Sequence, residues 1–244
     1  MEISFAAEKL GEIGPFPITN AFLTSILTST ILIAFAVFMS RRLQMFPSFL
    51  QNGVELVMET FFTLTSQIAG KRVTVIFPWF ATFFLFILVA NWLGLLPGFG
   101  TIGFLTEDPK RHFIPLLRPV NSDLNITLSL ALISLGVTHF FSVKILGIKE
   151  YVSRFFSLNP INLFVGVLEI ISEFTKIASL SFRLFGNIFA GEALLVTISG
   201  MFAFLLPLPF MVLELLVGFV QALIFSMLTL VFMVILTTSH KSSH

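Results

Sequence analysis

The chain has 244 residues, 56% of them hydrophobic and 11% charged, with a net charge of +1. A mean hydropathy of +1.00 excludes an ordinary soluble domain and fits a polytopic membrane protein, and the near-neutral balance gives no ground for a nucleic-acid partner. Cysteine is absent, so disulfides, thiolate catalysis and cysteine-based metal sites are excluded, and no motif for another metal or an organic cofactor is found.

Residues 1–18 read as a short polar arm broken by Gly14, Pro15 and Pro17. The arm is acidic and has no basic segment leading into an apolar one, so no cleavable signal peptide is expected. Residues 19–40 form an uncharged apolar run long enough to cross a hydrocarbon core of ~30 Å, and Arg41 and Arg42 stop it. Over residues 43–72 Gln51, Asn52, Glu55, Glu59 and Gln67 interleave with Phe49, Leu50, Val54, Val57, Met58, Phe61 and Phe62. That spacing predicts an amphipathic helix lying on the membrane surface between two basic pairs.

A second crossing is expected over residues 73–96, with Trp79 and Trp92 near its ends as interfacial anchors. Residues 97–122 read as a polar external loop carrying Glu107, Asp108, Lys110, Arg111, Arg118 and a solvated His112. A third crossing follows over 123–143, for which Ser122 or Asp123 can serve as the N-cap. His139, near its far end, reads as a hydrogen-bonded core residue and not a metal ligand. Lys144, Lys149 and Arg154 make a basic connection, and Asn159-Pro160 opens a long helix over 160–200. A turn with Pro207 and Pro209 leads to a last long helix over 210–238.

The fold expected is therefore an all-α polytopic membrane protein, a single membrane domain over 1–244. It has three transmembrane spans, one interfacial helix and a hairpin of two long helices. At ~1.5 Å per residue both long helices exceed a perpendicular crossing, which calls for tilt or curvature.

The ionisable groups concentrate on that hairpin. Glu169, Glu173, Lys176 and Arg183 follow at spacings of four, three and seven and share one helical stripe. Glu192 lies nine residues past Arg183, on about the opposite side. The last helix adds Glu214 and Gln221. An isolated charge in the bilayer costs several kcal/mol, and arginine cannot shed its proton to avoid the cost. An arginine that snorkels or pairs with one carboxylate would be only structural, but the density of charged groups here points to an ion or water pathway. Gly186 and Ala190 fit the small-xxx-small spacing for a closely packed partner helix.

The run SLSFRLFGNIFAGE from Ser179 to Glu192, with QALIF at Gln221 to Phe225 and PVNSDLNITLSLAL at Pro119 to Leu132, resembles subunit a of the F-type ATP synthase, the ATPase A chain family. The resemblance implies a non-catalytic, proton-translocating stator with two offset half-channels, set beside a ring of c subunits and held with the peripheral-stalk b subunits and the remaining synthase subunits in a lipid bilayer. It also implies that the two long helices are inclined and wrap the ring. Protons would pass Asp123, Glu192, Glu214, Asn187 and Gln221 on the outer side. They would leave past Ser179, Lys176, Glu173 and Glu169, with Arg183 between the two paths. Many relatives have a histidine at one of the positions occupied by Glu192 and Glu214, where this chain has two carboxylates.

Placing the N-terminus outside puts Arg41, Arg42, Lys71, Arg72, Lys144, Lys149, Arg154 and Lys241 inside, eight against the four cations Lys9, Lys110, Arg111 and Arg118 outside. A bacterial inner membrane is the expected location, with the C-terminus cytoplasmic. Two other readings fit the buried charges: a stand-alone transporter, for which no inverted repeat is found, and a scaffold in which Arg183 and Glu192 pair. Folding the two long helices about residue 203 would set Glu192 level with Glu214 and Arg183 near Gln221, although straight-helix phasing does not turn all four inward.

Overall fold

The computed structural model describes residues 8–13, 16–96, 98–99, 103–105, 113–155, 160–201 and 206–238. The expectations for Gly14, Pro15, Pro97, Glu107, Asp108, Lys110, Arg111, His112, Asn159, Lys241 and the turn at residue 203 lie outside the described residues. Within them the chain is almost wholly helical. Helices run α1 Asn20–Arg41, α2 Phe49–Ala69, α3 Val73–Gly94, α4 Leu124–Leu146, α5 Ile148–Phe155, α6 Pro160–Met201 and α7 Pro207–Thr237. Four apolar helical stretches, Asn20–Arg41, Phe49–Gly94, Leu124–Leu146 and Pro207–Thr237, are long enough to cross a membrane. α6 has 42 residues, roughly 63 Å at ~1.5 Å per residue and about twice a hydrocarbon core.

Three features were not expected. The arm before α1 is a short antiparallel hairpin of Lys9–Ile13 with Phe16–Thr19, and Gly103–Leu105 pairs with Phe113–Pro115 in the loop after α3. The basic connection at Lys149 and Arg154 is itself a helix, α5, whose start follows Gly147 at φ 83. Finally, α2 does not run away from α3. A 3-10 turn at Gly70–Arg72, with Gly70 at φ 54, folds it back, so that Phe61 meets Phe80 and Phe84 at ring separations of 5.6 and 4.5 Å. Phe49, Leu50 and Leu56 stand exposed on α2.

The core lies where α3, α4, α6 and α7 meet. Phe83, Phe84, Ile87, Ala131, Leu180, Leu184, Ala222 and Phe225 form one apolar cluster, and Ile76, Phe80, Leu230 and Met233 another toward the opposite end of α3 and α7. In an apolar medium little hydrophobic force drives helices together, so small residues and hydrogen bonds decide which faces meet. α4 shows this. Thr127, Ala131, Ser134, Thr138 and Ser142 fall at helical spacing and are all buried. Thr127 shares a hydroxyl hydrogen bond with Ser181 (3.1 Å), Ser134 with Thr229 (2.8 Å), and Ser142 donates to the Leu236 carbonyl (2.7 Å). One α4 face is thereby bound to α6 and α7.

α3 is tied to α7 by Asn91, whose Nδ2 donates to the Gly218 carbonyl at 3.1 Å while its Oδ1 accepts from Asn121 Nδ2 at 2.6 Å. A Cβ on Gly218 would stand 3.1 Å from the Asn91 side chain, so the glycine is what permits the approach. Asn91→Ala removes both bonds and strands a buried carbonyl. A loss of ~1–3 kcal/mol is expected in denaturant titration of the detergent-solubilised protein, and unchanged stability would show that the two bonds are replaced by water.

Candidate functional site

The hairpin of α6 and α7 sets the register of the charged groups. Asn187 Nδ2 donates to Gln221 Oε1 at 2.9 Å, and one helical turn further along α6 a methyl group on Gly191 would overlap the Glu214 carboxylate. A side chain at 191 would therefore displace the Glu214 carboxylate from its present seat against α6. Glu192 and Glu214 line the same cavity of about 210 Å³, together with Asn91, Gly94, Pro119 and Ile188. Gly94 closes the α3 side, since a Cβ there would lie 2.8 Å from Pro119.

The two acids are thus neighbours across the seam. Gln221, however, meets Asn187 and not Arg183, so no bulge is needed to turn all four groups inward. Glu192 does not pair with Arg183 either. Its carboxylate lies 3.7 Å from Arg118, whose side chain is only 8% exposed. Arg118 is steadied by Nε donating to Ser122 Oγ (3.1 Å) and by its backbone N–H donating to Thr24 Oγ1 (3.3 Å). Sequence reasoning missed it, reading Arg118 as one more loop cation. The available signal was its place immediately before Pro119 and five residues before Asp123, close to a helix start and apart from the other loop charges. Asp123 caps α4, accepting from the Asn125 backbone N–H at 2.9 Å, and is buried beside this group.

At the other end of the bundle Glu173 is buried and accepts from Lys176 Nζ at 2.7 Å. Its second oxygen faces His139 Nε2 at 3.6 Å, and His139 Nδ1 is hydrogen-bonded to the Tyr151 hydroxyl at 3.0 Å. Glu169 pairs with Arg154 of α5 at 2.5 Å. The acids of the α6 stripe are therefore covered by α4 and α5. His139 is hydrogen-bonded, as its sequence context indicated, but to a tyrosine of the basic connection that sequence reasoning left without a role.

Arg183 belongs to the same stripe and has a different environment. Its guanidinium reaches Ser179 Oγ at 3.3 Å, on an exposed face. Among the described residues it makes no ion pair. Ser179, Asn187 and Ala190 are exposed around it, and a Cβ on Gly186 would meet nothing within 4 Å. The fixed cation and the small residues beside it point out of the bundle.

Because the chain has no native cysteine, the seam can be tested cleanly. Cysteines placed at 192 and 214 are expected to crosslink in high yield, as two positions lining one cavity should. Failure to crosslink would show that they do not face one another across the seam.

Residues 22–234 match the ATP synthase A chain family. The chain is 31% identical over 224 residues to ATP synthase subunit a of Moorella thermoacetica, covering 92% of this chain and 93% of that one. It is 30% identical over 233 residues to ATP synthase subunit a of Legionella pneumophila, with 95% and 92% covered. It is 32% identical over 205 residues to ATP synthase subunit a 1 of Pelobacter propionicus, with 83% and 80% covered. With a family match and relatives that both extend over most of its length, the chain belongs to the ATP synthase A chain family.

Proposed function

We propose that this protein is the proton-conducting stator of the ATP synthase membrane sector, coupling proton flow to rotation of a ring of small subunits that each carry a membrane-buried carboxylate. The observation that carries the reading is Arg183: a permanent cation with no ion pair among the described residues, on an outward face of α6 beside open, small residues. A charge in that position needs a carboxylate from another chain. Such a cation favours the ionised form of each arriving carboxylate and repels a hydrated proton, so it discharges the ring site and blocks a direct leak.

Protons reach the ring from the outer side through the group of Asp123, Arg118, Glu192, Glu214, Asn187 and Gln221. They leave on the inner side past Ser179, Lys176, Glu173 and Glu169. The cavity between Glu192 and Glu214 supports the first path, and the chain of contacts around Glu173 supports the second. The cation count favours an N-terminus outside and a cytoplasmic C-terminus, and the bacterial relatives support a bacterial inner membrane as the location. Nucleotide chemistry belongs to other subunits, since no phosphate-binding loop motif occurs in the chain. The b subunits of the peripheral stalk hold the stator against the torque.

Arg183→Ala is expected to abolish gradient-driven ATP synthesis in reconstituted vesicles. Arg183→Lys should fail nearly as badly, because lysine can lose its proton in a dry site. Retention of most coupled synthesis in Arg183→Ala would overturn the stator reading.

Glu192→Gln and Glu214→Gln should each slow proton uptake from the outer side. Because the two acids share one cavity, their combination should cost far less than the sum of the single effects. Additive effects on passive proton conduction would assign them to separate steps.

A further inference from the structure

We propose that His139, held between the Tyr151 hydroxyl and the Glu173 carboxylate, is a proton-transfer group of the inner half-channel, taking protons from Glu173 and delivering them to water beside α5. The inference rests on the proposed proton path and adds to it two residues, one from α4 and one from α5.

Four observations converge on this place. Glu173 Oε2 is buried and has no hydrogen-bond partner, whereas Oε1 is satisfied by Lys176. A buried acceptor without a partner is costly, and this one faces His139 Nε2 at 3.6 Å, just beyond hydrogen-bond reach. A small rotation about χ would close the gap, as often happens for proton-transfer pairs that tighten only when working. The other ring nitrogen is already engaged by Tyr151, the only tyrosine in the chain, and the two rings meet edge to face with centroids 5.9 Å apart. Finally, His139, Tyr151, Phe155, Ile170 and Glu173 line an open, largely apolar groove of about 310 Å³, where water can be held by the polar atoms of His139, Tyr151 and Glu173.

The surrounding charges are balanced around the ring. Tyr151 and Arg154 face it from α5, and Glu169, Glu173 and Lys176 face it from α6. α7 also packs on α4, but its one titratable side chain, Glu214, lies at the opposite end of the bundle. Arg154 is engaged by Glu169, and Lys176 by Glu173. Imidazole can take a proton on one ring nitrogen while giving one up from the other. With Nδ1 protonated and donating to the Tyr151 oxygen, the bare Nε2 accepts the Glu173 carboxyl proton. The resulting imidazolium passes its Nδ1 proton through the tyrosine oxygen to water in the groove. One proton enters the pair and one leaves, and Glu173 is returned as a carboxylate beside Lys176.

The test uses the complete synthase in vesicles, with passive proton conduction measured while the pH on the inner face is varied. His139→Ala is expected to lower conduction roughly tenfold, as for loss of a proton-transfer group, and Tyr151→Phe severalfold. Imidazole added on the inner side should restore the His139→Ala current. The pH midpoint of the restored current should follow the basicity of the base when methylimidazoles replace imidazole, a shift that merely refilled packing space would not produce. Wild-type conduction and pH dependence in both variants would overturn the proposal. If His139→Ala fails to assemble, His139→Gln decides in its place, with wild-type conduction again counting against the relay. Arg183→Ala in the same vesicles separates the two readings: loss of coupling there with normal conduction in the His139 variants would remove the relay alone and leave the stator standing.

Discussion

One helix carries Glu169, Glu173, Lys176, Arg183 and Glu192, and in apolar surroundings each unpaired charge among them costs several kcal/mol. The placement of the other elements follows from that cost. α5 brings Arg154 to Glu169, α4 brings His139 to Glu173, and the loop before α4 brings Arg118 to Glu192. Removing one member of such a pair is far worse than never having built it, because a buried charge is left behind. The bundle is therefore held by a ladder of polar contacts to α6 as much as by its apolar clusters.

Arg183 is the rung that the chain itself does not fill. Two glycines near it show how closely the surrounding surface is divided. Gly191 is filled from within, by the Glu214 carboxylate on α7, whereas Gly186 is open. The two lie five residues apart, so they occupy different sides of the helix. One side of α6 closes the hairpin and the other leaves small residues open beside a cation that makes no ion pair among the described residues. A partner helix bearing an acid would complete both the packing and the charge.

The groups at the two ends of the bundle differ in kind. Around Glu192 and Glu214 the polar side chains are carboxylates and amides, the amides paired with one another and with backbone, and a single guanidinium is the counter-charge. Around Glu173 they include an imidazole, a phenol and an ammonium.

Residue periodicity was sufficient to find the membrane-crossing runs, the paired long helices and the stripe of charges on α6, because both apolar length and helical phase are local properties. It also set Glu192 level with Glu214, which line one cavity, but placed Arg183 near Gln221, where the structure has Asn187. It did not reveal that α2 folds back on α3, which depends on the Gly70 turn and on phenylalanines some twenty residues apart finding one another. Nor did it find the partners of Arg118, Tyr151 or His139. Their partners lie on other helices, and helical phase says which side chains share a face but not which neighbour covers that face. Only tertiary packing decided that Glu173 is covered and Arg183 is not, although the two share one stripe of one helix.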